Sequence, residues 1–304
     1  SRMEDVDVPA ADLVHASFSL PFCPPESFPR LWSAIRDAIR PRGRFAGELF
    51  GDRDTWASTE EGMTFFDIAS ARALGDAEGA TMHHRLDEAK SDLLAKGHDA
   101  TNIAFGNTLT DDAFKGRQFD FCMSNPPYGV DWKQYAKAVT KERDEAGPYG
   151  RFAPGLPATS DGQMLFLLHL VHKMRAPEDG GGRAGIVMNG SPLFNGGAES
   201  GPSNIRKWLL EKDLVDAIVA LPTNMFFNTS IATYIWILDN NKHPDRKGKV
   251  QLIDGTSFWT KTRKSLGSKN RELSEDDRAN VVKLYAGFTD ADPDYSKVVR
   301  TDEF

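Results

Sequence analysis

The 304-residue sequence holds two cysteines, Cys23 and Cys122, each alone on an apolar run. That scarcity points to buried thiols rather than a disulfide framework or a cysteine-built metal site. Long apolar stretches are missing as well. Nothing approaches the roughly 18 residues of a membrane span and no signal peptide is visible, so a cytoplasmic protein without a membrane partner is expected. Positive charge is not in excess: the formal net charge is −7. Such a balance argues against a protein that grips nucleic acid over its whole surface. No Gly-x-Gly follows a predicted strand, and Gly180-Gly181-Gly182 precedes one, so it reads as a connecting turn and not a phosphate cradle. His83, His84, His98, His169 and His172 lack metal-ligand spacing, and His169 and His172 are expected to pack on an apolar helix.

What is present describes an ordinary globular chain. The apolar fraction is 40% and the charged fraction 27%, enough for a sizeable core in one large or two modest domains. The charge is uneven. Residues 242–271 carry nine Lys/Arg against Asp245 and Asp254. They read either as a phosphate-contacting surface or as an edge strand and hairpin whose lysines discourage pairing.

Periodicity gives an α/β alternation. Residues 12–20 read as a strand and Phe28 to Ile39 as an amphipathic helix stopped by Arg40-Pro41-Arg42-Gly43, with a second strand over 44–50. The same order returns with a strand over 119–124, an apolar helix over 164–174, a Gly/Pro breaker and a strand over 183–189. Between the copies lie a helix over 86–95, a short strand over 102–105 and the exit turn Gly106-Asn107-Thr108-Leu109. Residues 129–163 read as a long polar loop of the kind that serves as a lid. Further strands are expected over 214–221, 231–238 (after a tight turn at Phe227-Asn228-Thr229) and 249–254, the last of them an edge. A terminal helix is expected over 274–285.

The stretch with the most chemical content is Asn125-Pro126-Pro127-Tyr128, delivered at the carboxyl end of the aromatic strand. Two prolines fix φ near −65° and remove two backbone donors, leaving a stiff segment with free carbonyls. Ligands of open α/β sheets bind outside the carboxyl ends of strands. Adenine N6 is a poor nucleophile because its lone pair is delocalised. Accepting its two N–H bonds on the Asn125 side-chain oxygen and the Pro126 carbonyl would localise that pair. Tyr128 would stack on the extruded base. The methyl donor would be S-adenosylmethionine, with no metal needed. The plainer alternative is an ordinary strand-to-loop turn, since Asn-Pro is a common turn pair.

From about Lys90 onward the chain resembles the modification subunit of type I restriction–modification systems, a family of N6-adenine DNA methyltransferases. The resemblance is carried by Lys96-Gly97-His98-Asp99, Phe105-Gly106-Asn107-Thr108-Leu109, Ser124 to Val130, Ser160-Asp161-Gly162 and Asn189 to Phe194. It continues through Ala217 to Pro222, Asn228 to Ile231, Tyr234-Ile235-Trp236 and Arg263 to Gly267. It implies a Rossmann-like S-adenosylmethionine-dependent methyltransferase sheet, with Asn125, Pro126, Pro127 and Tyr128 on the target base and Asn107 against the cofactor adenine. The partners it implies are double-stranded DNA and the specificity and restriction subunits of a type I complex.

The departure lies upstream. Members of that family carry a Gly-rich loop after the first strand and an acidic residue ending the second, and neither stands before Lys90; Glu78 is the one nearby candidate for the acid that holds the ribose. Residues 11–74 instead resemble the later half of a small class I methyltransferase. The expectation is therefore an α/β sheet lacking its N-terminal Gly-rich cofactor strand. Its division would be residues 1–75 as a partial methyltransferase-like segment and 76–304 as the adenine methylase segment. Two other functions stay open: a catalytically inactive scaffold that keeps subunit or DNA contacts, and a small-molecule methyltransferase.

Overall fold

The computed structural model describes residues 11–17, 39–49, 103–105, 107–226, 230–266 and 268–303. Glu78, Cys23, the helix expected over 86–95, most of that over 28–39 and the turn at 227–229 lie outside the described residues. Two compact units divide the chain between Asn125 and Pro126.

The unit of residues 2–125 contains strands β1 (Ala11–Ser17), β2 (Ile39–Leu49), β3 (Ile103–Phe105) and β4 (Phe121–Ser124). Their order is β4-β1-β2-β3, and every pairing is parallel. The chain therefore steps outward from β1 to β3 and returns to the other side of β1 as β4. That reversal of strand order is a topological switch point, the crevice where open α/β sheets take their ligands. Ser17 pairs with Ser124, so the ends of both switch strands are level. On β4 the side chains alternate, Cys122 and Ser124 buried, Phe121 and Met123 half-buried. Phe119, 1% exposed, locks the approach to the strand through an edge-on contact with Phe114 at 6.2 Å. β1 is thus the strand beside β4, and no glycine stands between Phe18 and Arg42 to form a cofactor loop after it.

One expectation fails here. Arg40-Pro41-Arg42-Gly43, expected as a breaker ahead of a strand over 44–50, lies within β2, which also takes in Ile39. The register jumps from Ala11↔Ile39 to Leu13↔Arg44, so Pro41, Arg42 and Gly43 fall in an irregularity of the ladder. Proline, which cannot donate to a ladder, is tolerated at such a bulge.

The unit of residues 126–304 holds β5 (Arg183–Asn189), β6 (Val215–Ala220), β7 (Thr233–Asp239), β8 (Lys249–Asp254) and β11 (Ser296–Arg300), in the order β5-β7-β6-β8-β11. β6 and β8 are parallel, while β7 runs antiparallel to both β5 and β6. Val215 to Val219 are buried without alternation, as expected of a strand covered on both faces. A separate hairpin comprises β9 (Thr260–Leu266) and β10 (Lys269–Glu272).

Three further expectations are corrected. Residues 129–163 are not a bare loop, because they contain helix α1 (Ala136–Ala146). Only Val139 of that helix is buried and most of its residues are polar or charged, so its sequence offers no apolar run to announce it. The segment is held instead by point contacts: the Trp132 indole donates to the Ala158 carbonyl at 2.9 Å, and Arg151 bonds Glu142 at 2.7 Å. β8 is not an edge strand, since β11 pairs along its outer side. The helix expected to be terminal, α5 (Glu275–Gly287), returns the chain into that strand.

The remaining helices are α2 (Gln163–Lys173), α3 (Ser191–Phe194) and α4 (Gly201–Glu211). α2 is buried continuously from Gln163 to Leu170, a helix apolar on all sides because the core surrounds it. His169 packs within it, its Nδ1 2.9 Å from an Arg151 nitrogen, whereas His172 is exposed. Gly201 permits a close approach that no other residue could: a Cβ there would meet the Leu156 carbonyl oxygen at 1.8 Å. α5 opens with a reciprocal capping box between Ser274 and Asp277, and its Tyr285 reaches the buried Asp216, which also binds Arg246 at 2.7 Å. Lys242 is spent in the same way, 2.6 Å from Asp213.

Candidate active site

β4 ends at Ser124 because Pro126 and Pro127 have no N–H to continue a ladder. The chain leaves with Asn125 half-buried, Pro126 buried, and Pro127 and Tyr128 half-buried. Gly129 then turns it at φ +63°, a left-handed conformation that glycine adopts without penalty. The tetrapeptide is thus a rigid corner with graded burial, neither sealed in the core nor fully in solvent. At the last position of β4 the Ser124 hydroxyl is buried with no hydrogen-bond partner among the described residues.

Asn107 stands at the carboxyl end of β3, in the expected exit turn. Its Oδ1 accepts the Leu109 amide at 3.0 Å and its carbonyl accepts the amides of Thr110 and Asp111. This Asx-type closure engages the side-chain oxygen, and the NH2 is the donor that remains on it. Asn107 and Asn125 both lie at the carboxyl edge of the parallel strands. Three strand spacings separate them, on the order of 14 Å.

In the 126–304 unit, the Tyr128 ring meets Phe226 edge-on, with centroids 6.1 Å apart and planes at 85°. The contact clamps the ring orientation, and burial pushes the phenol well above its usual range, so it stays neutral. The pairing of Phe226 with Tyr128 is visible only in the folded chain.

Three polar residues were missed as a set. Gln163, the first residue of α2 and fully buried, donates to Asp161 and to Asn189 Oδ1 at 2.9 Å, and accepts the Asn189 amide at 2.9 Å. Asn189 Oδ1 also accepts the Ser191 amide at 2.8 Å. The network fixes the exit of β5 and the start of α3. Downstream, Arg206 grips the carbonyls of Pro192, Asn195 and Gly196, and burial lowers its pKa from the ordinary arginine range. The quoted segments Ser160-Asp161-Gly162 and Asn189-Gly190-Ser191 contain the signal, but the 26-residue separation of Gln163 and Asn189 hides the pairing.

The family model for N-6 DNA methylase matches residues 80–304. A type I restriction enzyme MjaVII methylase subunit from Methanocaldococcus jannaschii is 30% identical over 219 residues, 71% of this chain and 36% of that protein. The MpnII methylase subunit from Mycoplasma pneumoniae is 32% identical over 173 residues, 54% of this chain and 30% of its own length. Among solved structures, a type I restriction–modification methyltransferase subunit from Streptococcus thermophilus superposes with a TM-score of 0.65 at 20% identity. It covers 99% of this chain and 53% of that one. The EcoKI M protein gives 0.54 at 15% identity, over 94% of this chain and 53% of that one. The chain therefore spans about a third of these curated relatives and about half of these solved neighbours. With the match running from residue 80 to the end, through the Asn-Pro-Pro-Tyr corner, the chain belongs to the N-6 DNA methylase family.

Proposed function

We propose that this chain is the catalytic part of a type I modification subunit, transferring a methyl group from S-adenosylmethionine to N6 of an adenine extruded from double-stranded DNA. The observation that carries the reading is the half-buried Asn125-Pro126-Pro127-Tyr128 corner at the carboxyl end of a switch-point strand. Residues 76–304 form the methylase segment in this proposal, which agrees with a family match beginning at residue 80. Residues 1–75 are the partial methyltransferase-like segment.

The described residues fit the cofactor at one point, the NH2 of Asn107, which would donate to its adenine; the unpartnered Ser124 hydroxyl at the switch strand is consistent with a polar group seated nearby. When bound, S-adenosylmethionine supplies an electrophilic methyl on a sulfonium sulfur. The chain does the rest. The Asn125 amide oxygen and the Pro126 carbonyl accept the two N6–H bonds of the target base and localise the nitrogen lone pair. Pro127 holds the corner rigid, and Tyr128, braced by Phe226, stacks on the base and offsets part of the unstacking cost of a few kcal/mol. The type I names of the relatives support assembly with specificity and restriction subunits, the former supplying the choice of DNA site.

The test is transfer of labelled methyl to an adenine-containing duplex by the chain combined with a type I specificity subunit. Asn125→Ala is expected to lower the rate by roughly a hundredfold or more, with S-adenosylmethionine affinity retained in calorimetric titration. Unchanged transfer in that variant refutes the mechanism. No cofactor binding at millimolar concentration leaves the inactive-scaffold reading instead.

A further inference from the structure

We infer that the β9–β10 hairpin is a clamp for the phosphodiester backbone of DNA, centred on Lys261, Arg271 and Trp259. This rests on the DNA reading above and deepens it.

Residues 259–272 carry five Lys/Arg against the single acid Glu272, in a chain whose net charge is −7. Upstream in the basic segment, Lys242 and Arg246 are paired inside the fold, on Asp213 and Asp216. Within the hairpin Lys269 is buried as well, but the pair on its outer part is placed differently. Lys261 is exposed and is the direct cross-strand partner of Arg271, so two cations share one face of a two-stranded ribbon. Like charges placed opposite each other on a sheet destabilise it, and an anion bridging them removes that cost. Arg271 is held ready for such an anion. Its guanidinium lies 4.1 Å over the ring of Trp259, itself 39% exposed, and an Arg271 nitrogen bonds the Thr223 hydroxyl at 3.3 Å. A planar guanidinium supported on an aromatic face is suited to a phosphate oxygen pair.

Position supports the same assignment. The amides of Asn270 and Arg271 both donate to the Asn224 carbonyl, at 3.1 and 3.2 Å. Asn224 sits at φ +61°, a left-handed conformation that asparagine tolerates better than most residues. Two residues on, Phe226 makes the edge-on contact with Tyr128. The hairpin is therefore docked on the loop that braces the stacking tyrosine. Cations there would hold the strand flanking an extruded base.

The experiment measures binding of a fluorescent adenine-containing duplex by the full chain across a salt series, using Lys261→Gln, Arg271→Gln, the double variant, and Lys207→Gln on α4 as a control. Each hairpin substitution is expected to reduce the slope of log affinity against log salt by about 1, and the double variant to weaken binding roughly tenfold, irrespective of sequence. Lys261→Arg restores the slope. Unchanged slopes in the double variant, or an equal change in Lys207→Gln, overturn the clamp and leave the methyl-transfer reading standing. Duplex binding through the hairpin without methyl transfer overturns that reading alone, and a wild-type chain that binds no duplex overturns the clamp, the methyl-transfer reading being decided by its own assay with the specificity subunit.

Discussion

Tyr128 and Phe226, 98 residues apart in sequence, meet edge to face at 6.1 Å. The aromatic pair couples the end of the Asn-Pro-Pro-Tyr corner to the loop after β6. Such pairs contribute about 0.5–1.5 kcal/mol beyond their area. Phe226→Ala is therefore expected to leave the chain folded but free the Tyr128 ring, lowering kcat/KM for adenine methylation by roughly tenfold. Steady-state kinetics beside a far-ultraviolet circular dichroism spectrum checks it. Phe226→Tyr, which keeps the edge contact, should restore most of the loss.

Gln163→Leu preserves volume but strands the buried Asn189 amide and leaves its Oδ1 with the Ser191 amide alone. A buried group left without its partner costs about 1–3 kcal/mol, so the denaturation midpoint should fall accordingly. Urea unfolding of the variant measures this. An unshifted midpoint would show that the network is dispensable to the fold.

Breaking the Asp216–Arg246 pair should be harsher. Asp216 is 1% exposed and binds Arg246 at 2.7 Å as well as the Tyr285 hydroxyl. Asp216→Ala leaves a guanidinium facing a vacated buried site, a change that typically costs 3–5 kcal/mol. The expected result is loss of soluble expression or a large drop in thermal midpoint. The conservative Asp216→Asn is expected to lie between that variant and the wild type.

The same cluster sets an alkaline limit. Burial, then the hydrogen bond and negative charge of Asp216, push the Tyr285 phenol up to about 12. An unfolded tyrosine ionises near 10, so between about 10 and 12 the unfolded state has fewer bound protons than the native state. Stability from this group is full below pH 10 and falls as pH rises through that window. Unfolding curves at pH 9 and 11 should show a gap that narrows in Tyr285→Phe.

The residues of this chain determine a good deal unaided. The stretches 214–221 and 164–174 read correctly as a strand and an apolar helix, because both are dominated by apolar residues whose burial needs no particular partner to be recognised. The family resemblance and the Asn-Pro-Pro-Tyr corner were legible for a related reason: proline stiffness and strand termination are local. What only the tertiary structure decided depends on neighbours distant in sequence. β2 runs through Pro41 because its register against β1 slips there, and β8 is interior because Ser296–Arg300 returns to cover it. α1 was hidden because its residues are mostly polar or charged and Val139 alone is buried. The opposition of Lys261 and Arg271 was equally invisible, since a cross-strand pair exists only after a hairpin has chosen its register.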